Sequence, residues 1–108
     1  MNERDNTLII RIQDELQFIL NVTKGYTKNS FLQDEIIQHA IAMSLITIGE
    51  CANHLSSNMT SKHTQVQWTE IIAVRNIAAH GYWQLNMEQV WQAVEDDIPN
   101  LKMFFDSL

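Results

Sequence analysis

Apolar positions recur at three- and four-residue spacings along most of the chain, and the interruptions in that rhythm divide it into elements. Over residues 5 to 22, Leu8, Ile9, Ile12, Leu16, Ile19 and Leu20 alternate with Arg11, Asp14, Glu15 and Gln17. A period near 3.6 predicts an amphipathic helix with one buried stripe. It ends near Lys24 and Gly25, where the glycine can take the left-handed conformation that closes a helix. Ser30 followed by Gln33 is a capping-box pattern, predicting a second and longest helix that runs to about Leu55.

Within that helix Ile36, Ile37, Ala40, Ile41, Met43, Leu45, Ile46, Ile48, Cys51, Ala52 and Leu55 cover more than one stripe. A helix apolar on two faces needs two burial partners. One face serves the bundle, and the other suggests a two-fold dimer interface, with the central helix of a monomer as the rival reading.

Residues 56 to 65 are polar and aperiodic and read as a loop. Thr64 and Gln67 repeat the capping pattern before Trp68, Ile71, Ile72, Val74 and Ile77, predicting a third helix that carries Arg75 and stops at Gly81 after His80. Asn86 and Gln89 open a further run of Val90, Trp91, Val94, Ile98, Leu101 and Phe105. Pro99 lies inside it, so either the helix kinks or one helix ends near Asp97 and a short one restarts with Pro99 in its first turn. The expected fold is all-α: an antiparallel bundle of four to five helices in a single domain over residues 1–108, dimerising through the second long helix and the helix that carries Arg75.

Composition narrows the function. Three glycines and one proline in 108 residues fit a chain with few turns. A formal net charge of -6 argues against holding a long nucleic acid by the general field of the protein, so a polyanion must be met locally. One cysteine, Cys51, excludes an intramolecular disulfide and reads as a buried filler. No run of 18 uncharged apolar residues exists and the first residues are polar and mixed in charge, from which we expect a cytoplasmic protein without a membrane association.

Few residues are candidates for chemistry. Glu35 with His39, and Glu50 with His54, are spaced i,i+4 on the second helix. They lack the further ligands that a metal-carboxylate bundle requires, so neither a metal nor a cofactor is expected. Glu50 stands alone among apolar residues, and burying it would demand a partner, for which Arg75 is the candidate. His63 reads as a solvated loop residue. Trp68, Trp83 and Trp91 could stack on bases, although tryptophans at such positions are more often core anchors.

Arg75, Asn76 and His80 fall within six positions. The types suit phosphodiester cleavage, with His80 as general acid or base, Arg75 as a clamp on the phosphate and Asn76 to orient or donate. Arg75 and His80 are five apart, about 140° around an ideal helix. They converge only if the helix ends at His80 or if two copies of the segment face each other. The bland alternative pairs Arg75 with an acid and leaves His80 at a helix C-terminus.

The segment Arg75-Asn76-Ile77-Ala78-Ala79-His80-Gly81-Tyr82 resembles the R-x-x-x-x-H-x-Y motif of the HEPN superfamily, and specifically of its HepT-like toxins. Ile48-Gly49-Glu50 with Ala52 and Leu55, Trp68 before Ile71-Ile72, and Val90-Trp91 before Asp97-Ile98-Pro99-Asn100-Leu101 are similar to that family's other signatures. Gln67 and Ala73-Val74 depart from it, replacing a common proline and a common Gly-Met pair. The resemblance implies an all-helical homodimer acting as a metal-independent endoribonuclease, with Arg75, Asn76 and His80 catalytic and Glu50 supporting. It further implies an RNA substrate and a cognate minimal nucleotidyltransferase antitoxin that transfers AMP to Tyr82. The alternative within the same superfamily is a non-catalytic module that binds a nucleotidyltransferase or a nucleotide.

Overall fold

The first helix begins where Asn2 places its side-chain oxygen on the backbone N–H of Asp5, 2.7 Å away, and runs as α1 over Glu3–Val22. The computed structural model describes residues 2–108. Six further α-helices follow: α2 (Lys28–Leu32), α3 (Glu35–His54), α4 (Ser57–Lys62), α5 (Trp68–His80), α6 (Met87–Glu95) and α7 (Asp97–Asp106). A 3-10 turn at Tyr82–Gln84 separates α5 from α6. No strand occurs among the described residues, so the fold is all-α, built from seven helices where the periodicity predicts four or five.

The extra helices come from two breaks and one added turn. After α1 the chain reverses through Gly25, whose φ of +83° is the left-handed conformation that a side chain disfavours. The capping box then forms between Thr27 and Ser30, and it opens only the short α2. The long helix starts afresh at Asp34, whose carboxylate accepts from the Ile37 N–H at 3.1 Å and from the Tyr26 hydroxyl at 2.7 Å. At 20 residues α3 equals α1 in length and is not the longest element. Residues 57–62 form a helix instead of a loop, because Ser56 caps them and Met59 anchors them in the core. No side-chain cap forms at Gln67, where α5 begins, whereas Asn86 caps α6 through the N–H groups of Glu88 and Gln89. The restart resolves the Pro99 alternative: α6 ends at Glu95, and Pro99 occupies the first turn of α7.

The buried side chains form one cluster centred on Ile12, Leu16, Ile19, Phe31, Ile41, Ile98 and Phe105. Helix α3 runs through the middle, packed on α1 along one side and on α5 along the other, while α1 also packs on α7. The two apolar faces of α3 are therefore largely covered within the chain. Only Ile36 and Met43, 85% and 59% exposed, remain as large apolar residues on its outer side. Trp91 is buried against Phe31, and Trp68 packs on Phe104 and Phe105 while its Nε1–H donates to the His63 carbonyl at 3.0 Å. His63 is accordingly half-buried, its ring edge-on to Phe104, not a solvated loop side chain. Cys51 is buried, and the desolvation raises its thiol above the ordinary range.

Candidate active site

Helices α3 and α5 touch through Gly49. A Cβ there would overlap Cβ of Arg75 and come within 3.1 Å of the Ile71 carbonyl oxygen. The bare backbone of α3 lets the Arg75 stem lie across it, and the guanidinium then reaches Glu50, the next residue, in an ion pair through Nη2. Nη1 donates to the Asn76 side-chain oxygen at 2.8 Å. Nε is buried and has no acceptor. Both terminal nitrogens keep one further N–H each, so the group is fixed at its root and retains donors for an anion.

Glu50 is 43% exposed, so it is not the buried carboxylate that its apolar neighbours in the sequence suggest. Its second oxygen lies 3.4 Å from Nδ1 of His54, and that nitrogen also sits 2.8 Å from the Glu50 backbone carbonyl. One carboxylate thus lies between an arginine and a histidine. The pairing of i,i+4 residues that raised metal binding in the sequence serves here to hold Arg75.

At the other end of the α3–α5 contact, His39 stacks on Tyr82 with ring centroids 3.9 Å apart and planes tilted by 35°. Tyr82 belongs to the 3-10 turn that follows α5, so this stack ties the turn back to α3. His80 is the last residue of α5, exposed, with no side-chain hydrogen bond among the described residues. Helix α5 stays regular to that point. The structure brings Arg75 to Glu50 and Asn76, and Tyr82 to His39, and records no contact between Arg75 and His80.

Two neighbours of these residues were beyond the reach of sequence reasoning. His39 and His54 appear there only as half of possible metal pairs, and nothing local connects residue 39 to residue 82. A cavity of about 440 Å³ is elsewhere. It lies between α5 and α7, with Leu45, Ile48, Ile71, Val74 and Phe104 among its walls and none of Glu50, Arg75, Asn76, His80 or Tyr82. The polar side chains singled out by the sequence lie instead on the solvent-accessible α3–α5 surface.

The family model described as "Ribonuclease HepT-like" matches residues 12–108, which include every candidate residue above. The chain belongs to the HepT-like family. Among its relatives, a protein of Caldanaerobacter subterraneus subsp. tengcongensis named "Putative RNase TTE0752" is 31% identical, over 84% of this chain and 81% of the relative. A protein of Methanocaldococcus jannaschii named "Putative RNase MJ1380" is 27% identical over 94% of both chains. The "Probable ribonuclease HepT" of Thermococcus cleftensis is 28% identical over 90% of this chain and 88% of its own length. No solved structure matches the chain. No helix among the described residues is long and apolar enough to cross a membrane.

Proposed function

We propose that this HepT-like protein is a metal-independent endoribonuclease, the toxin of a toxin–antitoxin pair, and that it acts as a homodimer with both copies of the Arg75–Tyr82 segment lining one cleft. The observation that carries the reading is the fixing of Arg75 by Glu50 and Asn76 on an exposed face, five residues before an unengaged His80. The family relation and the names of the relatives support the ribonuclease class.

In the reaction, the 2′-oxygen of a ribose attacks the adjacent phosphorus and loses its proton, while the bond to the 5′-oxygen breaks and that oxygen gains one. His80 transfers protons in this exchange. Arg75 binds the non-bridging oxygens with its remaining N–H groups as their charge grows, and the Asn76 amide, whose oxygen is committed to Arg75, donates beside it. The products are a 2′,3′-cyclic phosphate and a 5′-hydroxyl. Arg75 and His80 diverge on one helix, and a second copy across a two-fold axis supplies the missing convergence.

The same reading assigns Tyr82 as the acceptor of AMP from a cognate nucleotidyltransferase antitoxin. The phenolic oxygen would lose its proton and bond to the α-phosphorus of ATP as pyrophosphate leaves. The His39 stack holds the ring, and the added phosphate two residues from His80 would compete with RNA for the cleft. The second reading, a non-catalytic module that binds a nucleotidyltransferase or a nucleotide, draws support from the Glu50 carboxylate already resting on Arg75. Induced expression decides between them: growth arrest with RNA degradation, lost in His80→Ala, supports the nuclease, and intact RNA at high expression supports the module. Co-expression with the nucleotidyltransferase should add AMP mass to a peptide containing Tyr82 and none to Tyr82→Phe.

A further inference from the structure

Of the three tryptophans, two are explained by the core and one is not. Trp83 is 72% exposed, one residue past Tyr82 and three past His80. Such exposure is unusual for the largest apolar side chain, which most proteins cover at least in part.

The indole is nevertheless seated. A Cβ on Gly81 would come within 2.5 to 2.7 Å of Cζ2, Cη2 and Cε2 of Trp83. The backbone at Gly81, with φ of 162° and ψ of 118°, is extended and open to any residue. The absence of a side chain there therefore serves the approach of the indole. Its benzene half lies on bare backbone immediately beside His80. The Tyr82 ring meets it edge-on, centroids 6.1 Å apart at 77°. One face of Tyr82 is taken by His39. The structure thus holds a large aromatic plane in place, supports one side of it and leaves the rest to solvent.

We propose that Trp83 is a stacking platform for one unpaired base of the substrate strand, next to the phosphate engaged by Arg75 and His80. This rests on the ribonuclease reading above. It names the substrate class as single-stranded or looped RNA, since a base in a duplex already has both faces stacked. It also answers the net charge of -6: with little general attraction for a polyanion, a stacked base supplies affinity that electrostatics does not.

The test uses the full chain carrying His80→Ala, so that RNA is bound and not cut, and three probes: a fluorescein-labelled single-stranded oligoribonucleotide, the same strand in a perfect duplex, and a version with abasic positions. Binding is followed by anisotropy. Trp83→Leu keeps an apolar side chain without a π-face, and Trp83→Phe keeps the face. Trp83→Leu should weaken single-strand binding at least about fivefold, the lower end for one base–aromatic stack, while Trp83→Phe stays close to the parent. The abasic strand should bind the parent as weakly as Trp83→Leu binds the intact strand. Equal binding by Trp83→Leu and the parent overturns the proposal, as does a duplex bound as tightly as the single strand. A change in sedimentation mass on Trp83→Leu also overturns it, by making Trp83 a contact with a second copy. RNA bound with no effect of Trp83 removes the platform alone; no RNA bound by any variant, and none cut with His80 present, removes the ribonuclease reading with it.

Discussion

Arg75 and Gly49 are in contact across the α3–α5 interface, and the contact leaves no room for a Cβ on the glycine. The position of the guanidinium is therefore set first by backbone packing and only then by its ion pair. Adding one methyl at this crossing must push the helices apart or displace Arg75. Gly49→Ala should destabilise the fold by about 1 to 3 kcal/mol, the usual cost of overpacking a tight site, and should impair cleavage beyond what the residual stability explains. Thermal unfolding with an RNA cleavage assay checks both, and a variant with parental melting temperature and activity would contradict the packing argument.

Glu50 gives a contrasting expectation. The pair it forms with Arg75 is partly exposed, and surface ion pairs contribute roughly 0 to 1 kcal/mol. Glu50→Gln should leave the melting temperature nearly unchanged. It should lower cleavage roughly tenfold or more, because an arginine that is free to turn no longer presents its donors in one direction. Unaltered kcat/KM in Glu50→Gln would assign the carboxylate no supporting role.

The N-terminal turn carries an acid-sensitive link. Asp5 is buried and accepts from the Ser56 hydroxyl at 2.6 Å and the Ser56 N–H at 3.0 Å, and these bonds hold its carboxyl below the usual carboxylate range. The stability it contributes is present above the unfolded value, near about pH 3.9, and is lost as the pH falls through the lower folded value. Asp5→Asn should cost about 1 to 3 kcal/mol at neutral pH by leaving poorly matched buried groups. It should also flatten the acid limb of the stability profile, and a denaturation series from pH 2 to 7 measures that limb. An acid limb as steep in Asp5→Asn as in the parent would exclude this link.

These three cases also mark what the sequence makes legible. Periodicity predicts α1, the Asn86 cap predicts the start of α6, and the isolation of Glu50 points to Arg75, because each signal is local or needs only one charge to find its opposite. The break at Asp34 and the helix after Ser56 are not legible in the same way. Asp34 takes the Tyr26 hydroxyl besides capping α3, and Ser56 is held by Asp5, 51 residues away. Nor does spacing reveal the His39–Tyr82 stack, which exists only because α3 and α5 run alongside each other. The three tryptophans look alike in sequence and differ only once Phe31, Phe104 and Phe105 cover two of them.

The proposed homodimer draws on a different observation from the one the sequence supplies. The breadth of apolar residues on α3 is mostly used by α1 and α5, but Ile36, Met43 and Glu50 are seven apart, which puts two exposed apolar residues on the helical face of the carboxylate that holds Arg75. Phe18 of α1, 41% exposed, borders the same shallow depression as Met43. Sedimentation at micromolar concentration should give twice the 12.5 kDa chain mass, and Met43→Asp should shift it toward the single chain. A parental mass of one chain would remove the shared cleft.

The most direct measurement is cleavage of a defined oligoribonucleotide by the purified protein in excess chelator, with the product ends identified by mass. We expect cutting with 2′,3′-cyclic phosphate and 5′-hydroxyl ends, reduced by about 100-fold or more in Arg75→Ala and in His80→Ala, the range for losing a charge-stabilising or proton-transfer group. RNA left intact by folded protein, or cut equally well by His80→Ala, would contradict the account.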